Sequence, residues 1–487
     1  MQVPILNGVY TGENADYRTS YPLNMMPVVQ STGVSEGYLR PVEGIVEIGD
    51  GFSVSRGAIN WNGIHYRVLG EYLCSITEDG DVTQLGSVET DGERVSLTYS
   101  FDLLAIASNG GLFYYYPTTV DDSTWTFDLI LELDGFKLVK VTDPDLGVVN
   151  DVIWIDGYFM TTDGEFIVVT DINDPTSVNP LKYGSSEIDP DPIIALEKIR
   201  NEVYVVNRYS VEIFTNVGGS GFPFQRINGA QIHRGAIGKE CSAVMEETLV
   251  FLGSGLNESP AIYMGRNAQT TKISTREIED LLKELTETEL SAVVLEVLNK
   301  KSQIVLWVRL PDRTMVYSLT SSQQVGSPVW FTMSSGIDEL TQYRARDAVY
   351  CYNKWQVGDS IASSGKIGVL DDTVSTHFGE KSVWEFGTQI VYNNSMGAIV
   401  HRLELVALTG RADTTLSPII TTSYSVDGRL WSQDRPIKAG MLGNRLKRLV
   451  WWRQGNMSHV RIQRFRGDSN AYITVARLEA EIEPLSR

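Results

Sequence analysis

Short runs of alternating apolar and polar residues recur from residue 57 to about residue 381, separated by tight-turn residues. Residues 58–60, 65–69 and 72–77 form one set, with Trp61-Asn62-Gly63 as the first turn. Residues 152–155, 158–161 and 166–170 form another, broken at Asp156-Gly157 and Asp163-Gly164. Residues 194–199, 202–206 and 210–214 form a third, with Arg200-Asn201 between the first two runs. Asn-Gly and Asp-Gly between alternating runs predict hairpins, because type I′ turns need positive φ at both central positions. First strands are expected near Gly57, Arg94, Asn150, Ile193, Glu240, Leu290 and Leu340. Their mean spacing of roughly 47 residues matches a four-stranded propeller blade. The pattern predicts an all-β chain built on a β-propeller of six or seven blades. A pair of β-sandwiches is the competing architecture.

The pattern fails at both ends and at one interruption. Residues 14–57 alternate poorly and carry Pro22, Pro27 and Pro41 with glycines at 33, 37, 44, 49, 51 and 57. They nevertheless spend Tyr17, Tyr21, Leu23, Met25, Met26, Tyr38 and Leu39, so the stretch is expected to lie extended against another surface. Residues 274–285, STREIEDLLKEL, place Ile278, Leu281, Leu282 and Leu285 at helical spacing. A helix inserted between blades follows, capped at Ser274 or Thr275, with Glu277 in capping-box position to Ser274. After residue 381 the runs lengthen, at 383–392, 398–408, 416–425, 446–452, 459–465 and 471–477. The expected domains are an extended docking segment at 1–56, a propeller at 57–381, and a β-sandwich-like or jelly-roll-like domain at 382–487.

Composition narrows the chemistry. The 487 residues are 42% hydrophobic and 21% charged, ordinary for a globular chain with a large core. The 41 basic and 61 acidic residues leave a net charge of −20. That disfavours a surface that grips nucleic acid, where affinity comes from cations neutralising phosphate. No charged and apolar leader opens the chain and no apolar run reaches membrane-spanning length, so synthesis in the cytoplasm without membrane insertion is expected. Cys74, Cys241 and Cys351 are far apart and predict buried free thiols.

A search for catalytic chemistry finds little. His65, His233, His377, His401 and His459 lack metal-ligand spacing, so no metal and no cofactor is expected. No nucleophile elbow or phosphate-binding loop is present. Two acidic groups, Asp143, Asp145 and Asp151, then Glu187, Asp189 and Asp191, are of the kind that supplies the carboxylate pairs of glycosidases. Asp before Pro at 143 and 189 is more simply a turn initiator. The alternative function kept open is therefore a glycan-binding or glycan-cleaving propeller, with Asp151 and Asp191 as its carboxylates. Arg435, Lys438, Arg445, Lys447, Arg448 and Arg453 form the one basic cluster, beside Trp451-Trp452. The aromatic interleaving could suit nucleic acid, but a solvated strand face or a contact for an acidic partner is the expectation.

The order and spacing of several segments carry a resemblance. NADYRTSYPLNMM (14–26), GYLRPVEGI (37–45) and SRG (55–57) are followed by NRYSVEIF (207–214), HRGAIG (233–238), ISTREIEDLL (273–282), LWVRLPDRTMVY (306–317) and PVWF (328–331). The chain thereby resembles the tail hub proteins of short-tailed bacteriophages, also called packaged-DNA-stabilisation, tail accessory or nozzle proteins. The likeness weakens after about residue 382, and Pro41-Val42-Glu43 departs from it. It implies a structural virion protein and not an enzyme: a hexameric ring in the virion tail, assembled in the host cytoplasm. Such a ring extends the portal channel, helps retain packaged DNA, and meets a portal-adaptor ring, a tail needle or plug, and tailspike or fibre proteins. DNA passes without specific binding. Interface residues expected from the family-like N-terminal stretch are Asn14, Asp16, Tyr17, Pro22, Asn24, Tyr38, Leu39, Arg40, Ser55 and Arg56.

Overall fold

Tight turns between alternating runs fold the chain into seven successive antiparallel sheets of four or five strands. The computed structural model describes residues 2–6, 9–11, 18–30, 35–219, 221–300, 303–394, 396–411 and 417–485. The first sheet runs Ser55–Trp61, Ile64–Leu69, Tyr72–Ile76 and Val82–Ser87. Its opening turn holds Asn62 at φ 52° and Gly63 at φ 79°, the backbone a type I′ turn requires. Asp156-Gly157 repeats this, at 50° and 93°. The later sheets have their first full strands at Ser96–Tyr99, Asp151–Ile155, Ile193–Ile199, Ser242–Met245 (after the two-residue strand Gly235–Ala236), Val294–Lys300 and Ala345–Cys351, close to the expected starts. Sheets of this size at this period are propeller blades, and among the described residues there are seven.

The chain divides into two bodies. One comprises Glu47–Val297 and Ala345–Val369. In it the first strands of successive blades pack side by side, Ala345–Cys351 against Ser55–Trp61, then Ser96–Tyr99, Asp151–Ile155, Ile193–Ile199 and Ser242–Met245. Apolar side chains fill the seams between blades. Trp61, Tyr66, Leu73, Ile106 and Phe113 fill the first seam, and Tyr114, Val139, Phe159 and Val168 the next. The last blade takes its outermost strand, Gly44–Asp50, from before the first blade. A ring of blades is thus fastened by hydrogen bonds between distant parts of the chain, Gly51 N donating to Gly365 O among them.

The other body comprises Met1–Val46, Leu298–Arg344 and Leu370–Arg487. One sheet of its sandwich runs Met25–Val28, Tyr38–Pro41, Thr474–Pro484, Ala398–Leu408 and Leu449–Trp452, with Gln2–Val3 and Asn456–Met457 attached. The second runs Val383–Gly387, Val460–Asp468, Ile419–Ser425 and Arg435–Lys438, with Val391–Tyr392 attached. Met25, Leu39, Trp384, Phe386, Leu405, Trp451, Phe465 and Val475 share its core. The N-terminal stretch is therefore threaded into the sheet instead of laid over it. Pro27 sits on the edge strand Met25–Val28, where a missing N–H breaks no ladder bond. The sixth blade's strands Gln303–Arg309, Thr314–Ser318 and Trp330–Met333 belong to this body.

Helix α1 (Arg276–Glu284) lies where the spacing placed it and buries Ile278 and Leu282. Of the two expected caps Thr275 is the N-cap, while the Ser274 hydroxyl accepts from Ile262 N at 3.2 Å and pairs with Glu279. The capping box belongs to a second helix, α2 (Glu287–Ser291), between Thr286 and Glu289. A third, α3 (Leu319–Val325), is made largely of Ser, Thr and Gln and ends on Gly326 at φ 76°, so it carries no periodic apolar signal.

Candidate docking surfaces and the filled propeller axis

The family-like N-terminal residues divide sharply by environment. Asn14, Asp16 and Tyr17 lie outside the described residues. Pro22 is buried, and its carbonyl accepts from Thr332 N at 2.8 Å. Asn24 is buried at φ 52° and its amide satisfies three backbone groups. Its Nδ2 donates to the carbonyls of Ser334 and Val383, both at 2.7 Å, and its Oδ1 accepts from Ser334 N at 3.0 Å. Leu39 is in the sandwich core. Arg56 is buried and donates to the carbonyls of Gly70 and Glu89 and to Asp91 at 2.8 Å. Its guanidinium is pulled below its usual range by burial, against the raising effect of Asp91.

Tyr38 and Arg40 behave differently. Both are half-buried on the solvent side of the strand Tyr38–Pro41, and both line a groove of about 730 Å³. Val406, Leu408, Tyr472, Thr474, Arg411 and Asp372 also line it. Arg40 is held by Glu43 at 2.7 Å. This surface is mainly apolar with cationic groups at its edge, a composition suited to a protein segment rather than to catalysis.

Ser55 leads to the middle of the propeller. Its hydroxyl donates to Asp347 Oδ2 at 2.5 Å and accepts from Arg67 Nη1 at 2.6 Å. Asp347, on the first strand of the last blade, also meets Arg94 Nη2 at 2.5 Å. Arg94 opens the second blade, and its Nε reaches Glu240, at the start of the fifth, at 3.1 Å. Glu296, on the first strand of the sixth blade, stands 4.0 Å from Arg94 and accepts from Asp347 N at 3.2 Å. Side chains from such distant blades converge only at the axis, so the axis is filled by an ionic cluster. Burial alone would raise the Asp347 carboxyl, but Arg94, Arg346 and Arg67 hold it well below the carboxylate range. Burial works against the charge of Arg94, yet Asp347, Glu240 and Glu296 together keep it firmly protonated. His65, against Gln356 and Arg67, is pushed down to about 3 by burial and then by the Arg67 charge.

Asp151 and Asp191, the two carboxylates named for glycan chemistry, are engaged as braces. Asp151 accepts from Leu196 N at 2.8 Å, tying the third blade to the fourth. Asp191 accepts from Tyr209 N at 2.6 Å within a turn, and burial raises its carboxyl. Glu197 was missed in the sequence because it lies inside an ordinary alternating strand. It accepts from Ser242 Oγ at 2.8 Å, and burial pushes its carboxyl up to about 8, helped by the charges of Asp151 and Glu240. Among the described residues, no cluster of His, Cys, Asp and Glu is arranged to hold a metal, and no helix is long and apolar enough to cross a membrane.

Two family models, described as the β-propeller and the β-sandwich of bacteriophage P22 Gp10, match residues 1–375 and 383–483. The chain belongs to the Gp10 family. The tail hub protein gp10 of Salmonella phage P22 is 27% identical over 500 residues, covering 99% of each chain. Among solved structures, the WD40 domain of Neurospora crassa Pan2 is similar at 7% identity with a TM-score of 0.42, covering 70% of this chain and 98% of that one. PorZ of Porphyromonas gingivalis is similar at 10% identity with a TM-score of 0.39, covering 73% and 44%. The two family models meet between residues 375 and 383.

Proposed function

We propose that this chain is a structural tail hub of a short-tailed bacteriophage and not an enzyme. In this proposal six copies form a ring in the virion tail. The ring continues the portal channel below an adaptor ring, helps retain packaged DNA, and receives a tail needle or plug and tailspike or fibre proteins. The observation that carries it is kinship over the whole length, with both the propeller and the sandwich of Gp10 matched in order. The filled axis bears on the path of DNA. A duplex has no room among Arg94, Asp347, Glu240 and Glu296, so the lumen of the proposed ring lies between copies and not along a propeller axis. A wall drawn from a chain of net charge −20 repels phosphate and lets DNA slide.

Within the N-terminal contact stretch, Tyr38 and Arg40 are the residues we assign to partner contact, because they line the open groove. Pro22, Asn24, Leu39, Ser55 and Arg56 shape that stretch from within. Light scattering of the purified chain, alone and mixed with portal-adaptor assemblies from the same genome, tests the proposal. Six added copies per assembly are expected. A chain that stays a 54.2 kDa monomer and ignores the adaptor would refute it.

A further inference from the structure

The basic cluster seen in the sequence surrounds an exposed apolar loop. Residues 441–448 are all exposed, and Leu446 is 95% so, with Met441 and Leu442 more than half exposed. The loop is nonetheless fixed. Gly443 N donates to Gly410 O at 3.0 Å, Thr409 Oγ1 donates to Asn444 O at 3.0 Å, and Ala439 N donates to Pro418 O at 2.8 Å. Arg448 is held by Glu404 through two bonds of 2.6 and 2.7 Å. Arg445 and Lys447, which flank Leu446, enter no ion pair among the described residues. Large apolar side chains held out in water beside free cations make a surface that lowers its free energy when covered.

A surface with exposed carboxylates and the same apolar character lies on the second blade, where the cross-strand lysines Lys140 and Lys137 are already paired with Glu89 and Asp122. The strand Phe127–Leu133 is the outermost of its sheet and pairs on one edge only. Leu129, Ile130 and Leu133 are exposed on it. Asp128, Glu132 and, in the following turn, Asp134 enter no ion pair among the described residues. An edge strand with exposed apolar side chains is a natural site for another chain.

We propose that copies of this chain join head to tail, the loop 441–448 of one seated on the strand Phe127–Leu133 of the next. Two different surfaces meet, so the contact is heterologous, the kind that propagates around a ring. Charge complementarity selects the occupant: Arg445 and Lys447 face Asp128, Glu132 and Asp134, while Leu446 covers Leu129 and Ile130. The contact supplies one seam of the ring proposed above and rests on that proposal.

A charge-swap series on the full chain tests it. Self-association is followed by light scattering over a concentration series, with thermal unfolding as the check that each variant is folded. R445E/K447E and, separately, D128K/E132K are each expected to weaken association by about tenfold or more, through like charges brought together. All four substitutions in one chain are expected to restore it. Leu446→Ser should weaken it without touching charge. Wild-type association should fall as salt rises from about 0.1 M to about 1 M. Folded charge-reversal variants that associate like wild type overturn the inference and leave the hub proposal standing. So does failure of the fourfold variant to recover. A wild type that never self-associates, even on the portal-adaptor assembly, overturns both. Retention of duplex DNA by the loop, lost in R445E/K447E while association persists, replaces the inference with a nucleic-acid contact.

Discussion

At the scale of single residues, the N-terminal stretch works through buried hydrogen bonds. The Asn24 amide satisfies backbone groups of Ser334 and Val383 together. Asn24→Ala leaves buried backbone groups unpaired and also strains a left-handed position, so a loss of about 2–4 kcal/mol is expected. Asn24→Gly removes the amide and keeps the backbone conformation. Calorimetry of both separates the two causes, and most of the loss is expected to remain in the glycine variant. Glu197 gives a pH signature of definite sign. Its carboxyl rises from 4.5 to about 8 on folding, so the folded chain holds a proton that the unfolded chain releases. The associated stability is complete below pH 4.5 and is lost as pH rises through 8. His65 and His377, pushed by burial from 6.5 down to about 3, act in the opposite sense and lose stability as pH falls across that window. A Glu197→Gln variant should therefore flatten the alkaline limb of a plot of unfolding temperature against pH and leave the acid limb unchanged. An unaltered alkaline limb would assign it to other groups.

At the scale of elements, turn chemistry made the blades legible. Asn62-Gly63 and Asp156-Gly157 announce their own backbone angles, and the runs on either side fix the strand faces. Helix α1 was legible because one apolar stripe has a 3.6-residue period. Helix α3 was not, because Ser318 and Gly326 cap a segment whose interior is polar. The N-terminal strands were misread for a clear reason. Prolines and glycines erase alternation, while pairing with Thr474–Pro484 and with the last blade depends on partners hundreds of residues away. The candidate contacts suffered likewise: Tyr38 and Leu39 are neighbours, yet strand alternation sends one to the groove and the other to the core. Gly49 tests the closing strand. A Cβ there would stand 2.1 Å from Gly80 O, and Gly80 itself is at φ 92°. Gly49→Ala must push the turn at 77–81 away, so limited proteolysis is expected to cut earlier within 44–51 than in wild type. Resistance equal to wild type would mean that the closing strand tolerates the shift.

At the scale of the whole molecule, the filled axis joins parts of the chain that no seam between neighbouring blades connects. Arg94 touches carboxylates from the fifth, sixth and seventh blades while belonging to the second. Such a cluster adds little net stability if it is replaced as a unit by apolar groups, but it is costly to break in half. Arg94→Met leaves Asp347, Glu240 and Glu296 close together without their shared cation, and a loss of about 3–5 kcal/mol is expected. Adding Asp347→Asn and Glu240→Gln removes most of the repulsion and should recover much of that loss, which is the sign of coupling rather than of three separate contacts. Hydrogen exchange distinguishes a clasp from local packing. If Arg94 fastens the ring, Arg94→Met speeds exchange in the strands Ser96–Tyr99, Ser242–Met245 and Ala345–Cys351 together. Acceleration confined to Ser96–Tyr99 would reduce Arg94 to a local contact. Blades tied through one shared cation resist opening at any single seam, whereas a local contact protects only its own strand.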